Sequence, residues 1–126
     1  MSVVLDSSAI LAVVFGEDGG ETVAPRIAGA NVCAVNVAEA ASRMIDKGYS
    51  QDDTETILSG MGMVVAPFGE ADAFSTGFLR DTTRAAGLSL GDRACVALAS
   101  RRKARVLTAD RAWARVDLGV EIEVIR

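Results

Sequence analysis

Four carboxylates stand where apolar runs hand over to helix-compatible ones: Asp6 in VLDSSAIL, Glu39 in NVAEAASR, Asp92 in LSLGDRACVALA and Asp110 in VLTADRAW. Oxygen donors of this kind suit a hard cation such as Mg²⁺ or Mn²⁺, provided that the fold brings them together. Without a cation, like charges held close raise one another's pKa values and destabilise the site. The chain contains no histidine, which removes the commonest general base and the commonest zinc ligand in one step. Histidine-dependent triads and ribonuclease mechanisms are thereby excluded. The glycine-rich loops that cradle nucleotide phosphates after a strand are missing from the sequence too.

The elements that must position these acids follow from hydrophobic periodicity and stop signals. Ser2 to Leu5 reads as a short buried strand, and Ser7 to about Phe15 as the helix after it. GEDGG is a turn, and Glu21 to Ala28 forms a second short helix with Pro25 in its first turn and Gly29 as its breaker. Asn31 to Val35 is a strand, and Asn36 opens a helix lasting to Lys47 with Gly48 as its stop. SQDD from Ser50 is a capping box and begins a helix to Gly60. Met63 to Ala66 is a strand closed by Pro67, and Ala71, Phe74 and Phe78 mark the buried side of a long helix ending near Gly87. Gly91 and Asp92 open a helix to Lys103, followed by a strand from Arg105 to Thr108, a short helix from Asp110 to Val116 and a last strand from Val120 to Ile125. This alternation predicts one α/β domain over residues 1–126, a mainly parallel central sheet flanked by helices, with the direction of the last strand left open.

Geometry then relates the acids to one another. The helix from Asp92 travels about 18 Å at roughly 1.5 Å per residue, and the strand that follows returns about 17 to 20 Å by Asp110 at roughly 3.3 Å per residue. Both acids therefore lie at the carboxyl edge of the sheet, where α/β proteins place their ligands. Asp6 ends the first strand, and Glu39 sits in the first turn of the helix after the second, so all four share one rim. Each acid also has a purely structural explanation. Asp6 and Asp110 could be N-caps, and Glu39 could be the capping partner of Asn36 or pair with Arg43 one turn on. Glu39 is also off the apolar stripe Val37, Ala40, Ala41, Met44. Asp92 is harder to explain as a solvated cap, because it lies in line with Cys95, Val96 and Ala99 on an inward stripe. Four acidic caps are also a less probable outcome than one, with Ser7, Ser8, Ser89 and Thr108 nearby as neutral alternatives.

Composition bounds the remaining classes. At 126 residues and half hydrophobic, the chain can bury a core without disulfides or a structural metal. A net charge of −4 argues against a broad nucleic-acid-binding surface, although a local basic patch is compatible with it. Arg101, Arg102, Lys103 and Arg105 form such a cluster, with Arg111 and Arg115 as further candidates for RNA contacts; the same residues also suit a solvated helix end. Cys33 and Cys95 lie in apolar settings and read as core residues. The N-terminus lacks a basic region before an apolar stretch, and no window approaches the roughly 20 apolar residues of a membrane span. The expectation is a cytoplasmic protein with no membrane partner.

Taken in order and spacing, VVLDSSAIL, NVAEAASR, LSLGDRACVALA and VLTADRAW resemble the four acidic motifs of the PIN domain, and particularly those of the VapC toxins of bacterial toxin–antitoxin pairs. The resemblance spans essentially the whole chain. It implies that Asp6, Glu39, Asp92 and Asp110 form a catalytic, metal-binding cluster supported by Ser7 or Ser8 and by Thr108. It further implies a Mg²⁺- or Mn²⁺-dependent endoribonuclease, a homodimer, inhibited by a cognate VapB-type antitoxin. Some relatives carry one more acid downstream of the last motif, where Ala112 stands here, so a second tightly held metal is not implied. Two other classes are a phosphoaspartyl phosphatase, whose usual second aspartate is replaced by Ser8, and a receiver-like domain, which needs a lysine at a late strand end. Lys47 and Lys103 are both in predicted helices. A noncatalytic interaction module would tolerate loss of the acids.

Overall fold

A computed structural model describes residues 2–126. Its elements in chain order are β1 (Val3–Leu5), α1 (Ser7–Val14), α2 (Gly20–Val23), β2 (Asn31–Cys33), α3 (Ala34–Asp46), α4 (Gln51–Ser59), β3 (Val64–Ala66), α5 (Glu70–Phe78), α6 (Arg80–Thr83), α7 (Leu90–Arg102), β4 (Arg105–Thr108) and β5 (Ile122–Val124). Short 3-10 turns occupy Ala24–Arg26, Arg84–Ala86 and Arg111–Arg115. Pro25 stands at the start of the first of these, where its missing N–H costs nothing.

The five strands lie in the order β3-β2-β1-β4-β5, all parallel. The last strand joins in the same direction as the others, its Ile122 opposite Val106. Side chains alternate across the sheet. Leu5, Val32 and Leu107 enter the core under α1 and α3 with Ile10, Ala40 and Met44. Val4, Cys33 and Val106 enter a second core under α7 with Cys95, Ala99 and Trp113. Both cysteines are buried and free, as their apolar settings predict. Helices on both faces bury the central strands β1, β2 and β4, which is why these are short continuous apolar runs, whereas Val64 and Val65 of the edge strand β3 stay exposed.

Two helices depart from expectation. The expected strand to Val35 ends at Cys33, and α3 begins at Ala34. Asn36 is therefore inside the helix, not its cap, and Glu39 stands in its second turn. The expected long helix to Gly87 breaks after Phe78, where the hydroxyl of Thr83 takes the carbonyl of Leu79 at 2.7 Å. Its buried side is also different. Ala71, Phe74 and Phe78 face outward, the two phenylalanines 57% and 75% exposed and their rings 6.0 Å apart. The packed face instead carries Thr76, whose carbonyl accepts from Arg93, and Asp72, which pairs with Arg101. Polar anchors from α7 thus decided the rotation of α5 against its apolar stripe.

Candidate active site at the strand-order switch

From β1 the chain moves outward through β2 to β3, and then returns to the other side of β1 to form β4. The connections leave β1 and β4 in opposite directions, so a crevice opens beyond their carboxyl ends, the usual ligand position in open α/β sheets. Asp6 follows β1 directly and Asp110 lies just beyond β4. By alternation Asp6 and Thr108 point to the same face as Val4 and Val106, the face covered by α7.

Asp6 occupies the N-cap position of α1, yet its carboxylate makes no capping bond. It is turned inward and is 2% exposed. Its Oδ2 accepts from Ser8 Oγ at 2.5 Å and from Thr108 Oγ1 at 2.9 Å. Those hydroxyls are oriented in turn, Ser8 Oγ accepting from the Ala109 N–H and Thr108 Oγ1 from the Asp110 N–H. Oδ1 is buried with no partner. An ordinary cap would have served the helix and left no orphan, so the capping explanation of Asp6 fails. Burial pushes its pKa up to about 6, reinforced by the charges of Asp92 and Glu39 and opposed by the two hydroxyl bonds. Ser7, the first residue of α1 and half-buried, has no side-chain hydrogen bond among those described.

The other acids have mixed roles. Asp92 is a genuine capping partner: its Oδ2 accepts from the Ser89 N–H at 2.9 Å while its own N–H donates to Ser89 Oγ at 3.2 Å. The helix accordingly starts at Leu90, with Ser89 as its cap. Asp92 is nevertheless held above the ordinary carboxylate range, first by burial and then by the charges of Asp110 and Glu39. Asp110 caps the turn after β4, accepting from the Ala112 N–H at 2.9 Å, and is exposed at the rim. Glu39 accepts from Asn36 Nδ2 at 2.9 Å, and that amide also donates to the Gly91 carbonyl at 3.0 Å, tying α3 to α7. The charges of Asp92 and Glu39 thus reach Asp6, and those of Asp110 and Glu39 reach Asp92.

Among the described residues no three acidic or cysteine side chains converge as a ready-made metal cage. The donor set still fits a hard cation. It is all oxygen, its innermost carboxylate has one oxygen fixed and one unpartnered, and its acids repel one another as they stand. A buried acceptor left without a donor ordinarily marks a missing water or ion.

The basic cluster lies elsewhere. Arg101 and Arg102 end the 13-residue helix whose first turn holds Asp92, and Lys103 caps it, about 14 to 17 Å away along the axis at roughly 1.5 Å per residue. Arg105 starts β4 at the amino edge. Arg101 is paired with Asp72, Arg102 donates to Asn31 Oδ1, and Arg105 is paired with Glu121 and Glu123. The clustering in sequence reflects a helix end, not a surface beside the acids. Arg111 and Arg115 belong to the turn that Asp110 caps, Arg111 donating to the carbonyl of Arg126. Lys103 closes α7 at the far end and Lys47 closes α3, so no lysine reaches the crevice as a receiver domain requires. Sequence reasoning missed Asn36 and Gly91 as parts of the site. Their signals were a polar residue one turn before a candidate acid and a glycine in the first turn of an otherwise regular helix.

The PIN domain family matches residues 3–118, and the chain belongs to that family. No curated protein sequence matches it. Solved structures share the fold at low identity. A toxin–antitoxin complex from Klebsiella pneumoniae superposes with a TM-score of 0.76 at 12% identity, covering 99% of this chain and 98% of that one. VapBC2 from Rickettsia felis, bound to a DNA fragment from its promoter, gives 0.72 at 16% identity and 98% coverage of both chains. A VapBC-5 toxin–antitoxin protein of Mycobacterium tuberculosis gives 0.62 at 23% identity, covering 100% and 99%.

Proposed function

We propose that the chain, read over 1–126 as one PIN domain, is a Mg²⁺- or Mn²⁺-dependent endoribonuclease and the toxin of a toxin–antitoxin pair, with Asp6, Glu39, Asp92 and Asp110 as the acids that hold the ion. The observation that carries this reading is the half-satisfied Asp6 carboxylate, buried at the strand-order switch within reach of the charges of Asp92 and Glu39. Family membership and the toxin–antitoxin complexes among the structural relatives support it.

A bound divalent ion supplies charge to offset the phosphodiester and acidifies water for in-line attack. The chain's own residues do the rest. Ser8 and Thr108 hold one oxygen of Asp6 and leave the other buried without a partner. Asp92 and Asp110 each give one oxygen to a backbone N–H, which fixes the carboxylate plane. Asp110, exposed at the rim, is the acid assigned to orient the attacking water. Arg111 and Arg115 are the cations assigned to the RNA backbone. A cytoplasmic location is part of this reading; separately, no helix among the described residues is long and apolar enough to cross a membrane. The exposed Phe74 and Phe78 suit association, either as a homodimer or with a VapB-type antitoxin.

Purified protein should cleave RNA with Mg²⁺ or Mn²⁺, lose that activity in excess chelator and regain it when the ion is restored. Undiminished cleavage in chelator removes the metal from this account. Induced expression should arrest growth, with relief when the neighbouring small gene is co-expressed; unimpaired growth argues against the toxin role.

A further inference from the structure

Glu39, unlike the other three acids, neither follows a strand end nor takes part in a cap: it lies in the second turn of α3. Its carboxylate reaches across from α3 to α7 and lies against the backbone of Gly91: a Cβ at that position would fall inside the Glu39 carboxylate. Gly91 is helical and is not among the glycines with positive φ. Its lack of a side chain therefore answers a need for space, not for conformational freedom. Glycine in a helix costs about 1 kcal/mol relative to alanine, so the gap is maintained at the expense of stability.

Asn36 closes the same contact from the other side. It is fully buried, and both protons of its amide are committed, one to Glu39 Oε1 and one to the Gly91 carbonyl. The two acceptors settle which end of the amide is nitrogen, since the reverse placement would face oxygen with oxygen. Its Oδ1 is left buried without a partner. An apolar residue of similar size would avoid that cost, so stability alone does not call for asparagine here.

We infer that Asn36 and Gly91 form a lock that fixes the Glu39 carboxylate against α7, and that this lock between α3 and α7, rather than α3 alone, delivers Glu39 to the other acids. Both are positioning residues, and the inference rests on the assignment of Glu39 to the metal-holding set. Asn36 supplies direction through a donated hydrogen bond; Gly91 supplies room. The lock also explains how an acid off the apolar stripe of α3 enters the crevice at all. A side chain free in the second turn of that helix would otherwise be drawn to solvent or to Arg43.

Two measurements on the full chain test it. In metal-free thermal melts, Gly91→Ala should lower Tm when Glu39 is present and raise it in the Glu39→Ala background, where the space is vacated and only the helix preference for alanine remains. An equal shift in both backgrounds overturns the lock. In calorimetric titrations with Mn²⁺ alone, Gly91→Ala and Asn36→Leu should each weaken binding by about tenfold or more, as loss of a group orienting a metal ligand does. In the Glu39→Ala background neither should weaken it further; additive losses overturn the inference. Tight Mn²⁺ binding by Gly91→Ala, with binding still lost in Asp6→Asn, overturns the lock and spares the proposed function. Absence of Mn²⁺ binding by the unsubstituted protein removes both.

Discussion

Replacing Asp6 with asparagine should make the metal-free protein more stable at neutral pH, because the site holds a charge that burial opposes. The sign follows from the raised pKa, about 6 in the folded protein against 3.8 for the unperturbed group. Below about pH 4 the carboxyl is protonated folded and unfolded, and the penalty is absent. Between about pH 4 and 6 the unfolded chain ionises while the folded state keeps the proton, so stability falls across that window; above about 6 the folded state carries the buried charge and the loss is complete. The difference of about two pKa units is worth roughly 3 kcal/mol at about 1.36 kcal/mol per unit. Asparagine recovers less than that. Its carbonyl can still accept from Ser8 and Thr108, but neutral bonds are about half as strong as charge-assisted ones, and its NH₂ replaces an orphan acceptor with an orphan donor. A net gain of about 1 to 2 kcal/mol is expected at pH 8, several degrees in Tm for a domain of this size, shrinking toward zero near pH 4. Melts of both proteins from pH 4 to 8 without metal read this directly. Added Mn²⁺ should raise the Tm of the unsubstituted protein and not of Asp6→Asn. A variant destabilised by the same amount at every pH would refute the argument, since Asp6 would then be an ordinary hydrogen-bonding residue.

Asp92 should lose on both counts: Asp92→Ala removes a capping box and costs about 1 kcal/mol in chemical denaturation, and it should also lose RNA cleavage, whereas a residue that only caps would leave cleavage intact. Because the chain has no histidine to activate the RNA 2′-OH, mapped products should carry 5′-phosphate and 3′-OH ends, and RNA blocked at the 2′ position near the cut should still be cleaved if it binds; cyclic phosphate ends would sink the metal-water route. Arg102→Ala and Lys103→Ala, at the far end of α7, should leave cleavage unchanged, while Arg111→Ala, beside Asp110, should weaken RNA binding and flatten its salt dependence. Binding titrations at two salt concentrations separate the pair, and equal effects would place RNA along α7 instead.

What the sequence determined by itself was local in origin. Short apolar runs alternating with helical ones specified a parallel α/β sheet, and strand ends fell where a polar residue interrupts the run, so Asp6, Thr108 and Asp110 were legible as rim residues. Missing histidines excluded a class of chemistry with no structure needed. Tertiary structure decided whatever depended on a partner distant in the chain. A capping motif looks the same whether its carboxylate serves the helix or turns inward; Ser8, two residues on, and Thr108 at the end of β4, 102 positions away, together hold Asp6 off its cap. Periodicity marked an apolar side of α5, but Arg93 and Arg101 of α7 bound its polar side and left Phe74 and Phe78 outside. The basic run after Ser100 read as one cluster because it is contiguous, yet a helix carries its two ends to opposite edges of a sheet. Hydrogen bonds within a turn are set by a few residues, whereas which face packs and which oxygen goes unpartnered are set by which elements the topology makes neighbours.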